Sequence, residues 1–250
     1  EEASAREIDS VTKAMRMALT MLALGEEGDF PARTLDRGAV EQSLMPQVFG
    51  LHLVNNGVQS AWISREELLR RLLALQLEDG GWAVIGASCD VDCTAMVLQA
   101  LAPWKEESAI AEAVDRGLEA LSAAQLENGG FTGMGMENAE SCAQVLLALS
   151  CLGPETLEDP RFQRPGGTVR DALLRFRREE GGFAHALTDE KINETATVQA
   201  YYALAGEARA RRGEGPSYVL DPHPSRGENR AEDGTEAEAA EDTNEGEVGQ

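Results

Sequence analysis

The sequence predicts an all-α fold in which helical hairpins repeat along the chain and a disordered acidic tail follows them. Three observations lead to this expectation: a turn motif that occurs three times, apolar residues at helical spacing on both sides of each turn, and a change of composition near residue 213. A repeat is informative about the fold because one hairpin cannot bury its apolar face alone and must stack on its neighbours.

The repeated turn motif contains two glycines followed by an aromatic residue. It occurs as Gln76-Leu-Glu-Asp-Gly-Gly-Trp82, Gln125-Leu-Glu-Asn-Gly-Gly-Phe131 and Arg177-Arg-Glu-Glu-Gly-Gly-Phe183, with steps of 49 and 52 residues between the first glycines. Paired glycines permit backbone angles closed to other residues, an aromatic side chain can wedge between hairpins, and the glutamines can bond free helix-end groups. The residues with this predicted structural role are Gln76, Gly80, Gly81, Trp82, Gln125, Gly129, Gly130, Phe131, Gly181, Gly182 and Phe183.

The segments between the turns have helical periodicity. Each turn is followed by a block that is apolar over most of its circumference, and each is preceded by an amphipathic block such as Ala109 to Leu126. The apolar blocks predict inner helices near 8–24, 45–56, 91–103, 139–152 and 193–208. The amphipathic blocks predict outer helices near 34–42, 65–77, 109–126 and 168–178. Together these make about four and a half hairpins.

Signals at the predicted helix ends agree with this layout. Residues 4–7 and 64–67 have the Ser-x-x-Glu pattern of a capping box. Gly25 and Gly57 follow predicted helix ends, and Pro46 falls in a first helical turn, where proline is tolerated. No segment has the alternation of a β-strand.

Composition and charge exclude several classes of partner. The chain has 250 residues, of which 42% are hydrophobic, and its formal net charge of −22 repels nucleic acid and anionic membranes. No apolar stretch approaches the roughly 20 residues of a membrane-spanning helix. Residues 213–250 contain eleven Asp or Glu against two Arg and few apolar residues, which predicts a disordered acidic tail or a linker. We therefore expect no nucleic-acid partner and no membrane insertion.

The four cysteines leave two interpretations open. Cys89, Cys93, Cys142 and Cys151 are either plain buried thiols or members of one or two bridges. The core of a chain this long needs no covalent staples, so buried thiols are favoured. In an oxidising compartment, Cys93 and Cys142 are a candidate pair because both are expected near the starts of adjacent inner helices.

The spacing Gln76-x-x-x-Gly80-x-Trp82 resembles the repeat motif of squalene and oxidosqualene cyclases, and the Gly-Gly-aromatic turns resemble those of protein prenyltransferase β-subunits. Residues 4–208 are similar in layout to bacterial prenyltransferase/squalene-oxidase-repeat proteins and to the α-toroid domain of cobalamin carriers. The resemblance implies an α/α toroid of six helix pairs around a central cavity, and an extracellular or cell-surface location. This chain has about one and a half helix pairs fewer than the six of that family. The difference predicts an incomplete ring from which N-terminal helices are missing.

The segment Asp90-Val-Asp92-Cys93-Thr94-Ala95 resembles the acid motif of class II terpenoid cyclases. The resemblance implies that Asp92 acts as a general acid. The carbocations formed in such a reaction need an apolar cavity whose aromatic faces stabilise them. Aromatic residues form only 5% of this chain. Capping of helix starts is favoured instead, because cap-type residues recur at the equivalent places. The same residues are placed to line one mouth of the cavity and to bind a ligand: Asp90, Asp92, Asn138, Glu140, Asn193 and Glu194.

Zinc is a weaker possibility from the same family. Protein prenyltransferases use Asp-x-Cys and a distant His, whereas here Asp and Cys stand in adjacent pairs. The candidate ligands are Asp90, Cys93 and His185. No cofactor is predicted, although neither zinc nor a corrinoid is excluded by the residues.

The favoured function is a non-catalytic module of a secreted or surface protein that binds a ligand or partner at one end of the ring. Its partner is expected to be a small hydrophobic or cofactor-like ligand, or another domain of the parent protein. The alternatives are a cyclase-like enzyme that uses Asp92 and a zinc-dependent prenyltransferase-like enzyme. A cytoplasmic location is the alternative to the extracellular one.

Overall fold

A computed structural model of the chain describes residues 10–220, and the predicted all-α class is confirmed. The helices of this part are α1 (Val11–Ala23), α2 (Phe30–Gly38), α3 (Leu44–Asn55), α4 (Arg65–Ala74), α5 (Val91–Leu101), α6 (Ser108–Ala124), α7 (Ala139–Leu152), α8 (Pro154–Leu157), α9 (Val169–Leu174) and α10 (Glu194–Arg211). Short 3-10 turns cover Ala102–Trp104 and Pro160–Phe162. The strands found in this part are β1 (Thr132–Gly133) and β2 (Met136–Glu137), which form an antiparallel pair.

The helices form two layers that follow the sequence pattern. The inner layer consists of α1, α3, α5, α7 and α10, each in contact with the next, while α2, α4, α6 and α9 pack on its outer side. In α7, 12 of the 14 residues are buried, whereas 7 of the 17 residues of α6 are. Burial from several sides explains why inner helices are apolar around most of their circumference.

Most predicted helix bounds differ from the observed ones by a few residues, and α2 is the largest shift among the outer helices. The pattern predicts 34–42, but the helix begins at Phe30 because Pro31 fits its first turn. The capping box at 4–7 lies outside the described residues. At 64–67 the box is half formed: Ser64 accepts from the Glu67 amide, while the Glu67 carboxylate pairs with Arg70 and Arg71.

The first eight residues of the predicted tail are folded against the helices. The chain from 213 to 220 lies against the helices: the Tyr218 ring stacks 4.4 Å from the buried His52 ring. Asn56 donates to the Tyr218 carbonyl oxygen at 2.7 Å and accepts from the Leu220 amide at 2.8 Å. These apolar residues within a polar stretch bury enough surface to order the segment. The remainder of the predicted tail, 221–250, lies outside the described residues.

Two further expectations concern membranes and disulfides. None of the described helices combines the length and the apolarity needed to cross a membrane. The four cysteines are free, with Cys142 and Cys151 buried and Cys89 and Cys93 half-buried. Cys93 and Cys142 form no bridge in this structure, and the preference for plain thiols stays a prediction.

Candidate functional site at the start of the inner helices

The three Gly-Gly turns share one backbone hydrogen bond and a positive φ at the first glycine, although only in the third turn is the φ of the second glycine, Gly182, also positive. The amide of Leu77 donates to the Gly81 carbonyl oxygen at 2.9 Å, and equivalent bonds join Leu126 to Gly130 at 2.9 Å and Arg178 to Gly182 at 3.0 Å. Trp82, Phe131 and Phe183 are almost completely buried. The burial of these three side chains agrees with the packing role that the motif predicts for them.

The glutamines of the first two turns hold consecutive hairpins together. Gln76 donates to the carbonyl oxygen of Gly80 at 2.8 Å and to that of Ala113 in α6 at 2.9 Å. Gln125 donates in the same way to Gly129 at 3.0 Å and to Phe162 at 3.3 Å. Each side chain thus closes its own turn and bonds the outer segment that follows.

A second repeated bond fixes a loop between each turn and the next inner helix. The carbonyl oxygens of Trp82, Phe131 and Phe183 accept from the amides of Asp90, Asn138 and Asn193 at 3.1, 3.3 and 2.8 Å. The residues between these anchors are 83–89, 132–137 and 184–192. We call these three loops, with the first turns of α5, α7 and α10, the loop face.

Three of the predicted ligand-binding residues cap the inner helices. The side-chain oxygens of Asp90, Asn138 and Asn193 accept from the amides of Cys93, Ser141 and Ala196 at 2.8, 2.8 and 3.0 Å. This confirms the capping interpretation for these three residues. Their accepting oxygens satisfy helix-end amides that would otherwise lack a partner.

Asp92 does not cap its helix. It lies in the first turn of α5, is largely buried, and its Oδ1 atom has no hydrogen-bond partner among the described residues. Burial raises the pKa of Asp92, and the carboxylates of Asp90 and Glu140 raise it further, although the nearby Ser141 hydroxyl acts in the opposite direction. A buried carboxyl of this kind favours its protonated form.

Ser141 and Gly133 border the same space as Asp92. The Ser141 side chain is fully buried, and no described group forms a hydrogen bond of good geometry with its hydroxyl. A Cβ atom added to Gly133 would lie 2.5 Å from Ser141 Oγ and 3.5 Å from Asp92 Oδ2. The end of β1 can approach both groups only because Gly133 has no side chain. The Ser141 hydroxyl is the nearby donor that lowers the pKa of Asp92, and Oδ1 of Asp92 is the carboxylate oxygen left without a partner beside it.

Glu140 and His185 form a polar pair beside this space. The Nδ1 atom of His185 lies 2.8 Å from Oε2 of Glu140, and the His185 carbonyl oxygen accepts from the Ala139 amide at 3.0 Å. The third first-turn carboxylate, Glu194, is exposed. Sequence reasoning missed Ser141 and the Glu140–His185 pair, since the pair joins residues 45 positions apart and neither residue belongs to a local motif.

Every loop of the loop face exposes large apolar side chains. Ile85 is 89% exposed and the Met134 side chain is fully exposed. Met134 also has a φ of +52°, a conformation that is uncommon for residues other than glycine. The six exposed apolar residues, two in each loop, are Val84, Ile85, Met134, Met136, Leu187 and Ile192. Apolar residues in predicted loops were a signal available in the sequence.

The zinc candidates do not fit a zinc site. The described residues contain no group of three or more His, Cys, Asp or Glu side chains arranged to hold a metal ion. His185 pairs with Glu140, and Asp90 caps α5. Burial and neighbouring carboxylates raise the pKa of Cys93 to about 12, whereas a zinc ligand is a thiolate.

Comparison with models of known protein families finds no match, and comparison with curated proteins finds none either.

Proposed function

We propose that this chain is a non-catalytic binding module that holds its ligand or partner on the loop face. The observation that carries the proposal is the repetition of two exposed apolar side chains in each of three equivalent loops, around the buried Asp92 and Ser141 oxygens. Single exposed apolar residues are ordinary on protein surfaces, but apolar side chains clustered at one end of a domain are typical of binding sites.

The surrounding charges indicate the chemistry of the ligand. Asp92, Glu140 and Glu194 start the inner helices, while the apolar residues lie in the loops that lead to them. Oδ1 of Asp92 has no partner and can accept a hydrogen bond. A small ligand with an apolar body and a basic or hydrogen-bond-donating group would satisfy both features. The extracellular or surface location stays a prediction from the family resemblance.

Two observations favour binding over catalysis. Asp90, Asn138 and Asn193 are accounted for as helix caps. The aromatic residues of the turns are buried between hairpins, and the ring contacts of Phe49, His52 and Tyr202 lie in the middle or later turns of α3 and α10 rather than in their first turns. Carbocation chemistry at Asp92 would need aromatic faces around it.

The proposal is tested with two probes of equal chain length and opposite charge. Isothermal titration of the full chain with dodecylammonium below its micellar concentration should give saturable binding, and dodecanoate should bind more weakly. The double variant Ile85→Ser, Met134→Ser should lose binding. Leu24→Ser is the matched control, because Leu24 is 64% exposed at the other end of an inner helix. Equal binding by the double variant and the wild type would disprove the proposed site.

A cyclase-like enzyme is the second candidate, and the environment of Asp92 favours it. A largely buried carboxyl with a raised pKa that does not cap its helix has the properties of a general acid. The test is incubation of the purified chain with a polyprenyl substrate such as squalene. Steady turnover that is abolished by Asp92→Asn would replace the binding proposal with the enzymatic one.

A further inference from the structure

The third Gly-Gly turn lacks the covering that the first two have. The first glycines have nearly the same φ, +90° for Gly80, +87° for Gly129 and +90° for Gly181. A Cβ atom on Gly80 would lie 2.5 Å from the Arg116 carbonyl oxygen, and one on Gly129 would lie 2.4 Å from that of Gly167. At Gly181 no described atom lies within 4 Å of the same position. The outer side of the third turn is therefore open.

The residue that joins one hairpin to the next changes at the same point. Gln76 and Gln125 each donate to a carbonyl oxygen of the following outer segment. The equivalent residue of the third turn is Arg177, which is exposed and forms no ion pair with a described residue. An arginine at this position presents a positive charge where its counterparts make a neutral contact.

A groove between α9 and α10 continues from this open turn. Its volume is about 620 Å³. Leu174, Phe183, Tyr201 and Leu204 supply its apolar surface, and the Phe183 and Tyr201 rings meet edge to face at 5.7 Å. In the first repeat the corresponding place is filled by α6, where Gly117 is close enough that an added Cβ would lie 3.0 Å from both Trp82 and Leu98 atoms.

The charges around the groove are locally positive. Arg170, Arg177 and Arg211 line it, and Glu207 is the acidic residue among the lining residues. Glu207 is itself buried and pairs with Arg170 and Arg211. Arg211 also pairs with the exposed Glu158, so Arg177 is the lining arginine without an ion pair among the described residues, although the chain as a whole carries −22. A partner with carboxylates matches this surface.

We propose that the groove between α9 and α10 binds an amphipathic α-helix of a partner protein. The partner helix has an α6-like apolar face, a small residue over Phe183, and carboxylates that meet the Arg177 side of the groove. Internal repetition supports this occupant, because in the first repeat the equivalent place takes a helix with a glycine at the crossing point. The binding mode is that of a helix laid in an apolar groove.

A peptide with the sequence of α6 can serve as a probe for the groove between α9 and α10. A capped, fluorescently labelled peptide with the sequence of residues 108–124 contains Gly117 and three carboxylates, those of Glu112, Asp115 and Glu119. Fluorescence anisotropy with the full chain should show saturable binding with a Kd on the order of 0.1 mM, because a short peptide must order as it binds. A peptide with Gly117→Leu should bind more weakly, since its side chain would clash with Phe183.

Two groove variants and one control test the location. Arg177→Glu and Leu204→Asp should each weaken binding by at least about tenfold, with the folded state checked by circular dichroism. Arg70→Glu is the control, because Arg70 is an exposed arginine on α4. Absence of saturable binding, or binding that neither groove variant changes, would overturn the proposal. A concentration-dependent dimer that Arg177→Glu dissociates would also overturn it, because the occupant would then be a second copy of the chain.

Discussion

The first two Gly-Gly turns and the third share a positive φ at their first glycine but have different surroundings. Gly80 and Gly129 have both a positive φ and a carbonyl oxygen on their outer side, whereas Gly181 has only the positive φ. The difference shows that the same motif can require glycine at this position for two separate reasons. The first reason is intrinsic to the turn, and the second arises only where another segment packs on it.

Alanine substitution should distinguish these two reasons. It is expected to cause the largest change in the free energy of unfolding. Gly181→Ala should lower the free energy of unfolding by about 1–2 kcal/mol, the strain of a left-handed backbone in an L-residue. Gly129→Ala adds a backbone clash with Gly167 and should lower it by about 3–5 kcal/mol. Urea unfolding followed by circular dichroism measures both. Equal losses would show that the outer side of the third turn is covered as well.

The glutamine position tests the same contrast through hydrogen bonds. Gln125→Ala leaves the buried carbonyl oxygens of Gly129 and Phe162 without this donor and should lower the free energy of unfolding by about 2 kcal/mol. Arg177→Ala should change it by no more than about 0.5 kcal/mol. Gln125→Glu is the matched control: it keeps the shape but lacks the donor, so it should be no more stable than the alanine variant. A large loss from Arg177→Ala would contradict the comparison.

The fold was largely predictable because its signals are local. The Gly-Gly-aromatic turns and the apolar blocks lie within short windows, so the layers and most helix bounds follow from them. The start of α2 at Phe30 precedes the predicted one, and Pro31 in its first turn is the signal in the sequence that marks it. The contact of Tyr218 with His52 was missed because one aromatic residue in a polar stretch gives no periodic signal, while its burial depends on residues far away in the chain.

The candidate site was predictable only in part. Cap residues are recognised by their type and their place before an apolar block, so Asp90, Asn138 and Asn193 were assignable. The burial of Asp92 depends on the approach of Gly133 and Ser141 from the next repeat. No pattern within one repeat encodes that approach, and residue spacing alone could not distinguish Asp92 from a cap.

Two repeats can also be compared at the starts of their inner helices, where Asp92 and Glu194 lie. The expected change in stability is smaller there. Burial raises the pKa of Asp92 above the unfolded value of 3.8, so folding favours its protonated form. Wild-type stability from this group is greatest below that unfolded pKa and is lost as the pH rises through the folded pKa. Asp92→Asn should therefore gain stability relative to the wild type as pH rises. Thermal unfolding between pH 3 and 7 measures this, and Glu194→Gln, at an exposed position in the first turn of α10, is the control substitution.

The smallest effect concerns Met134 and separates stability from binding. Met134 and Gly135 both have positive φ in a two-residue hairpin loop, a geometry that favours Asn-Gly. Met134→Asn should therefore raise the free energy of unfolding by about 0.5 kcal/mol.

In the first loop, the positive φ belongs to Gly86, which has no side chain to strain. The second loop instead holds a fully exposed methionine in a strained conformation, and strain of this kind persists where the side chain has a role. Met134→Asn should accordingly weaken dodecylammonium binding while it stabilises the fold, and Gly86→Ala should destabilise it. If Met134→Asn leaves both the binding and the stability unchanged, the methionine has no part in the loop face.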